Sequence, residues 1–131
     1  MSRSETKLKR LQHPGFGKEL RHLQCSSHTA DRDLAVLVVA EINQLHELRE
    51  KLKPHRLEDR LNGSELSEIS YLREYRNGFS FRIYFLITDG ILWVIALDTN
   101  KRATNLTKGM VKTLIGRLHD IRKFMSEARN P

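Results

Sequence analysis

An Asn77-Gly78 pair predicts a hairpin that brings two arginines together. Asn-Gly is a strong signal for a two-residue turn, because both positions of a type I′ turn need positive φ. Such a turn fixes the strand register, so Arg73 is expected directly opposite Arg82. Like charges in that arrangement cost stability. Either nearby carboxylates and solvent relieve the repulsion, or the pair binds an anion, because arginine forks match phosphate geometry.

Three tyrosines are expected on the same face of the sheet as this arginine pair. The register places Tyr71 opposite Tyr84, with Tyr75 on the same face. Tyrosine rings beside cations can stack on bases, which favours single-stranded RNA over duplex DNA as a ligand. Lys101 and Arg102 follow the last predicted strand and would add two cations there, although an ordinary polar loop explains them equally well.

The other residues that could do chemistry form no comparable set. His22, Cys25 and His28 have a spacing that zinc would accept, but a fourth ligand and a second pair are absent. No metal site and no cofactor are therefore predicted. His55 and His119 could act as bases near neutral pH, but they are more typical of surface histidines. The sequence has no Gly-rich phosphate loop and no paired carboxylates suited to hydrolysis.

Helices are predicted from the spacing of apolar residues. Apolar side chains at three- and four-residue steps predict one helix over residues 30–53 and another over 108–125. The segment 13–17 contains Pro14 and two glycines, so we expect it to break regular structure. A short strand is expected before this break and a short helix over residues 18–24 after it.

Residues 69–97 predict a three-stranded antiparallel meander. The segment is rich in β-branched and aromatic residues, and Asp89-Gly90 supplies a second hairpin turn. In the second hairpin the expected cross-strand pairs are Ile87–Leu92, Phe85–Val94 and Ile83–Ala96. The expected core face collects Leu72, Phe81, Ile83, Phe85, Ile87, Leu92 and Val94. The fold class is therefore α+β: a small antiparallel sheet, the meander plus a possible N-terminal strand, with helices packed on one face.

Length and composition bound the possible functions. The 131 residues predict a single domain, 1–131, in which residues 1–17 are a poorly predicted N-terminal extension. The net charge of +7 is uneven, because residues 1–24 and 71–131 are basic and the segment between them is acidic. This basic excess is typical of a protein that binds a polyanion, most commonly nucleic acid, and a solvated basic surface that keeps the protein in solution explains it equally well. Without a long apolar run or a secretory signal, and with one cysteine, the sequence indicates no membrane partner and a cytoplasmic location.

The sequence Gly78–Phe85, GFSFRIYF, resembles a hairpin strand of the RelE/ParE toxin superfamily. The long amphipathic helix, Leu61-Asn62-Gly63, Asn100-Lys101-Arg102 and a closing helix occur in the same order, and Lys18–Leu23 is similar to the start of the family's first helix. The resemblance covers about residues 18–121 and is nearest to the phage-derived HigB-like branch.

The resemblance implies a type II toxin that cleaves mRNA on the ribosome and is paired with a helix-turn-helix antitoxin. It implies metal-independent cleavage by the RNA 2′-OH. By position, the implied catalytic residues are Arg73 and Arg82, and the arginine of the family's basic loop falls on Arg102. The predicted substrate-binding residues are Arg102 and, from their own chemistry, Lys101, Tyr84, Tyr71 and Tyr75; RelE has a lysine where this chain has Tyr71. The family's tyrosine near the C-terminus has no counterpart, so two alternatives stay open: a ParE-like inhibitor of DNA gyrase, and a phage-derived nucleic-acid-binding protein without cleavage activity.

Overall fold

A computed structural model describes residues 8–48, 59–60, 66–76, 78–99 and 107–129. These residues form three helices and a five-stranded sheet, which confirms the α+β class. In chain order the elements are β1 Lys9–Gln12, α1 Pro14–Gln24, α2 Thr29–Leu48, β2 Asp59–Arg60, β3 Ser70–Arg76, β4 Phe79–Thr88, β5 Ile91–Asp98 and α3 Lys108–Arg129. The predicted end of the first long helix, the sequence Leu61-Asn62-Gly63 and His55 lie outside the described residues.

The sheet has the strand order β1-β5-β4-β3-β2 and is mixed, where a purely antiparallel sheet was predicted. The predicted N-terminal strand exists as β1, but it runs parallel to β5 and pairs Lys9 with Ile91. The prediction considered only strands joined by tight turns, and those are always antiparallel neighbours. A parallel neighbour comes from a distant part of the chain, which no local signal identifies.

The segment 13–17 begins a helix, so the prediction that it breaks regular structure is wrong. Proline suits the first helical position, because its missing N–H would have no partner there. Pro14 takes this position, and the His13 ring caps the helix, since its Nδ1 accepts a hydrogen bond of 2.8 Å from the Gly15 N–H. Leu8 and Phe16 are buried in the core. Residues 8–17 are therefore part of the fold, where a poorly predicted extension was expected.

In both predicted hairpin turns the glycine adopts a positive φ, as expected. Gly78 has a φ of +82°, and Asp89 and Gly90 have φ values of +52° and +74°. The β3–β4 register follows from the first turn as predicted, with Arg73 opposite Arg82 and Tyr71 opposite Tyr84.

Helices cover both faces of the sheet, where a single covered face was predicted. On one face α1 and α2 bury a cluster that includes Leu72, Phe81, Ile83, Phe85, Leu92, Val94 and Leu97. On the other face α3 buries a second cluster that includes Tyr84, Leu86, Trp93, Ile95, Leu114, Leu118 and Ile121. Residues 92–97 of β5 are all buried, as expected for a strand covered on both sides. Ile87, predicted on the core face, is 43% exposed near the second turn.

A β-bulge changes the register of the second hairpin. The pairs Ile87–Leu92 and Phe85–Val94 occur as predicted, but the register then shifts between Tyr84 and Phe85. Ile83 therefore pairs with Leu97, and the predicted pair Ile83–Ala96 is wrong. The two-residue turn predicts the register only while the ladder stays regular, and a bulge adds one residue to one strand.

Candidate anion-binding site

The candidate site lies where β3, β4 and β5 run side by side on the α3 face of the sheet. Arg73 on β3 is exposed, and Arg82 on β4 is half-buried directly opposite it. No described residue forms a hydrogen bond or an ion pair with Arg73. We call the group Arg73, Arg82 and Asp98 the arginine site.

Asp98 is the member of the arginine site that sequence reasoning missed. Without the bulge, Leu97 would lie opposite Arg82. With it, Asp98 takes that position and shares the face of the arginines. Arg82 thus has a cation on one neighbouring strand and a carboxylate on the other, which offsets part of the Arg73–Arg82 repulsion. No sequence signal predicts the bulge. The sequence does show an acidic residue, Asp98, at the end of β5, but not that it pairs with Arg82.

Tyr84 is a buried hydrogen-bond partner of Arg82. Its ring is 1% exposed within the α3-face cluster, and its hydroxyl oxygen accepts a hydrogen bond from the Arg82 guanidinium. Burial raises the pKa of Tyr84 above its ordinary value of 10.0, and the negative charge of Asp98 raises it further. The positive charge and the hydrogen bond of Arg82 act in the opposite direction. Tyr84 is consequently a neutral phenol that positions Arg82.

The burial of Tyr84 corrects its expected role in substrate binding. A base can stack only on a ring with an accessible face, and α3 and the sheet enclose this ring. Tyr71 is half-buried with its ring centroid 5.8 Å from that of Tyr84 at an angle of 45°. The sequence predicted an open face because it gave no indication that α3 crosses this side of the sheet.

Tyr75 is the predicted aromatic that remains accessible. Its side chain is 76% exposed, and it lies opposite the half-buried Ser80 at the same end of the sheet as Arg73. Its ring can therefore stack on a base bound beside the arginines. Lys101 and Arg102 lie outside the described residues; in sequence they follow Thr99 closely, just after Asp98.

The arginine site is suited to binding and polarising a phosphate. A guanidinium carries five N–H donors, so one arginine can bind a protein acceptor and a phosphate at the same time. Among the described residues the site contains no histidine, and the raised pKa of Tyr84 keeps its phenol protonated near neutral pH, so it cannot accept a proton there. The arrangement therefore supplies electrostatic stabilisation, while the group that accepts the proton of the attacking nucleophile must be solvent or part of the substrate.

A second polar cluster, also missed by sequence reasoning, joins α1 to α3 across the edge of β5. Glu19 on α1 accepts hydrogen bonds of 2.8 and 3.1 Å from the two terminal nitrogens of Arg117 on α3. Arg117 also donates to the Ile95 carbonyl, and the Leu97 N–H donates to Glu19. Because β1 ends its pairing at Val94, these side chains take the place of a neighbouring strand along the rest of β5.

The other sequence candidates are not brought into the arginine site. His22, Cys25 and His28 are exposed around the end of α1 and the start of α2. Within the described ranges, no group of three His, Cys, Asp or Glu residues is placed to hold a metal ion. His119 is exposed on α3. None of the helices in the described part of the chain has the length and apolar character needed to cross a membrane.

Comparison with known proteins identifies no family. No family model matches this chain, and no curated protein matches it significantly. The fold and the arginine site are therefore the basis for a functional proposal.

Proposed function

We propose that this protein is a RelE-like toxin of a type II toxin–antitoxin system that cleaves mRNA on the ribosome. The observation that carries the proposal is the cross-strand pair Arg73–Arg82, with the exposed Tyr75 beside it. Two arginines at directly opposed positions of a β-ladder can present both guanidinium groups to one phosphate. A nearby accessible aromatic ring adds a contact for an unpaired base.

The proposed reaction uses the substrate's own nucleophile. The ribose 2′-OH gives its proton to solvent water and attacks the adjacent phosphorus, which forms a 2′,3′-cyclic phosphate, while the bond from phosphorus to the 5′ oxygen breaks and that oxygen takes a proton from water. Negative charge builds on the phosphate oxygens during this step, and Arg82 and Arg73 stabilise it. Removing one preorganised donor of this kind typically costs about 10²–10³ in rate. The Tyr84 hydrogen bond and Asp98 hold Arg82 in place, and Lys101 and Arg102 bind the backbone.

The proposal implies an acidic partner in the cytoplasm, where mRNA is translated. A cognate helix-turn-helix antitoxin would neutralise the arginine site and so prevent phosphate from entering it. Binding between two oppositely charged surfaces weakens as salt rises.

The first test is expression of the wild-type chain and of Arg82→Ala, followed by mapping of mRNA ends. We expect wild type to arrest growth and to produce cuts within translated reading frames. Arg82→Ala should lower cleavage by about 10²-fold or more, because the half-buried guanidinium is a main phosphate donor. Arg82→Lys should restore little, since an ammonium group lacks the planar fork.

Arg122→Ala is the matched control, because Arg122 is an exposed arginine that pairs with Glu68 away from the site. It should cleave as wild type does. Cleavage should also survive EDTA. Growth arrest by Arg82→Ala with intact mRNA and altered DNA supercoiling would contradict the proposal in favour of gyrase inhibition. Absence of any cleavage by the wild type would leave nucleic-acid binding without catalysis.

A further inference from the structure

A cleft of about 650 Å³ separates α1 from the first half of α3. Gly15 and Gly116 line it, so part of its wall carries no side chains, and Lys18 and Lys112 line it from the two helices. We propose that this cleft is a second binding surface, separate from the arginine site, for the phosphodiester backbone of single-stranded RNA. The identity of the polymer rests on the proposed function, whereas the anionic character of the ligand rests on the cleft itself.

The carboxylates of the cleft pair with groups other than its lysines, so the lysines can bind a ligand. The two carboxylates in the wall already have cationic or hydrogen-bonding partners: Glu19 binds Arg117, and Asp120 lies 2.8 Å from His13 Nε2. Lys18 and Lys112 are both exposed, and neither makes a hydrogen bond or an ion pair with any described residue. The acidic side chains of the cleft are thus engaged, while its lysines can bind an anion.

The cleft continues towards the arginine site along the edge of β5. A second depression of about 340 Å³ shares Lys18 and Glu19 with the cleft and extends past His22 to Thr99. Thr99 directly follows Asp98, which lies opposite Arg82. A strand bound at the arginine site could therefore pass the end of β5 and continue into the cleft.

The composition of the cleft favours a polymer of phosphates over a protein segment. Peptide-binding surfaces depend on apolar and aromatic anchors that fill pockets. The described lining of the cleft consists of charged, small and polar residues, with Pro14 as its most apolar member. Its two lysines lie on different helices, and Lys18 also lines the adjoining depression, so they suit repeated charges along a chain.

The test measures binding of a 5′-labelled oligouridylate 12-mer by fluorescence anisotropy over a range of salt concentrations. The variant is Lys18→Gln with Lys112→Gln, made in the full-length chain. Each lost phosphate contact lowers the salt dependence of log Kd by about 0.7 for a single strand, so the slope should fall by about 1.4. At 0.1 M salt this corresponds to a Kd about 10- to 30-fold weaker.

Lys123→Gln is the matched control, because it removes an exposed lysine from the same helix outside the cleft. It should change the slope less than the double variant does. An unchanged slope for the double variant, or an equal change in Lys123→Gln, would overturn the proposal. So would a loss of affinity for polyglutamate equal to that for the RNA. Weakened 12-mer binding in a protein that cleaves no mRNA would support the cleft and reject only the nuclease function.

Discussion

The environment of Arg82 is formed by residues on three strands. Tyr84 accepts its hydrogen bond from within β4, Arg73 lies opposite on β3, and Asp98 lies opposite on β5. Arg82 is only half-buried, so solvent screens these charges in part. Tyr84 is enclosed, and its burial is the largest cause of its raised pKa, to which the negative charge of Asp98 adds.

Tyr84→Phe tests the raised pKa of Tyr84 through the dependence of stability on alkaline pH. In the unfolded chain Tyr84 loses its proton near pH 10, whereas in the folded protein its pKa is raised and it keeps the proton. The folded state therefore binds more protons above pH 10, and the free energy of unfolding of wild type falls as pH rises there. In Tyr84→Phe this contribution to the fall is absent. Urea unfolding of both proteins between pH 8 and 11 measures it; parallel pH profiles would contradict the raised pKa.

At the scale of elements, side chains provide hydrogen-bond partners for the backbone of β5 beyond the point where its neighbouring strand β1 ends. The His13 N–H donates to the Val94 carbonyl, and beyond that point Arg117 and Glu19 bind the Ile95 carbonyl and the Leu97 N–H. An uncovered edge strand would present unpaired backbone groups. The ion pair also links α1 and α3, which lie on opposite faces of the sheet, so one side-chain pair joins three elements.

Glu19→Ala should destabilise the protein by about 2–4 kcal/mol. The change leaves Arg117, whose side chain is 16% exposed, without its carboxylate and leaves the Leu97 N–H without its acceptor. Glu68→Ala is the control, since it breaks the exposed ion pair with Arg122 and should cost less than about 1 kcal/mol. Urea unfolding measures both variants. Equal losses in the two would show that the β5 edge does not depend on this carboxylate.

At the scale of the whole molecule, the sheet is the middle of three layers. The α1–α2 layer and the α3 layer each bury a separate cluster, and β4 and β5 contribute side chains to both. The α3 layer also limits the functional surface, because it encloses Tyr84 and leaves the end of the sheet with Arg73 and Tyr75 open. The position of α3 thus determines both stability and how much of the sheet a ligand can reach.

Leu118→Ala tests the contribution of the α3 layer. Leu118 is fully buried between α3 and the sheet, so its truncation should cost about 2–5 kcal/mol through lost burial and a cavity. Val36→Ala is the control, because Val36 is 67% exposed on α2 and should change stability by less than about 0.5 kcal/mol. The fluorescence of Trp93, the single tryptophan, follows unfolding in both variants. A loss below 1 kcal/mol for Leu118→Ala would contradict this packing.

The sequence by itself determined the features that local chemistry controls. Apolar spacing predicted the long helices, and glycine's tolerance of positive φ predicted both hairpin turns. Since a two-residue turn fixes the pairs beside it, the cross-strand position of Arg73 and Arg82 followed as well. Only the tertiary structure decided the parallel pairing of β1, the placement of α3 over Tyr84, and the bulge that brings Asp98 opposite Arg82. These depend on contacts between segments far apart in the chain, and the free energy of such contacts is not encoded in any single stretch of sequence.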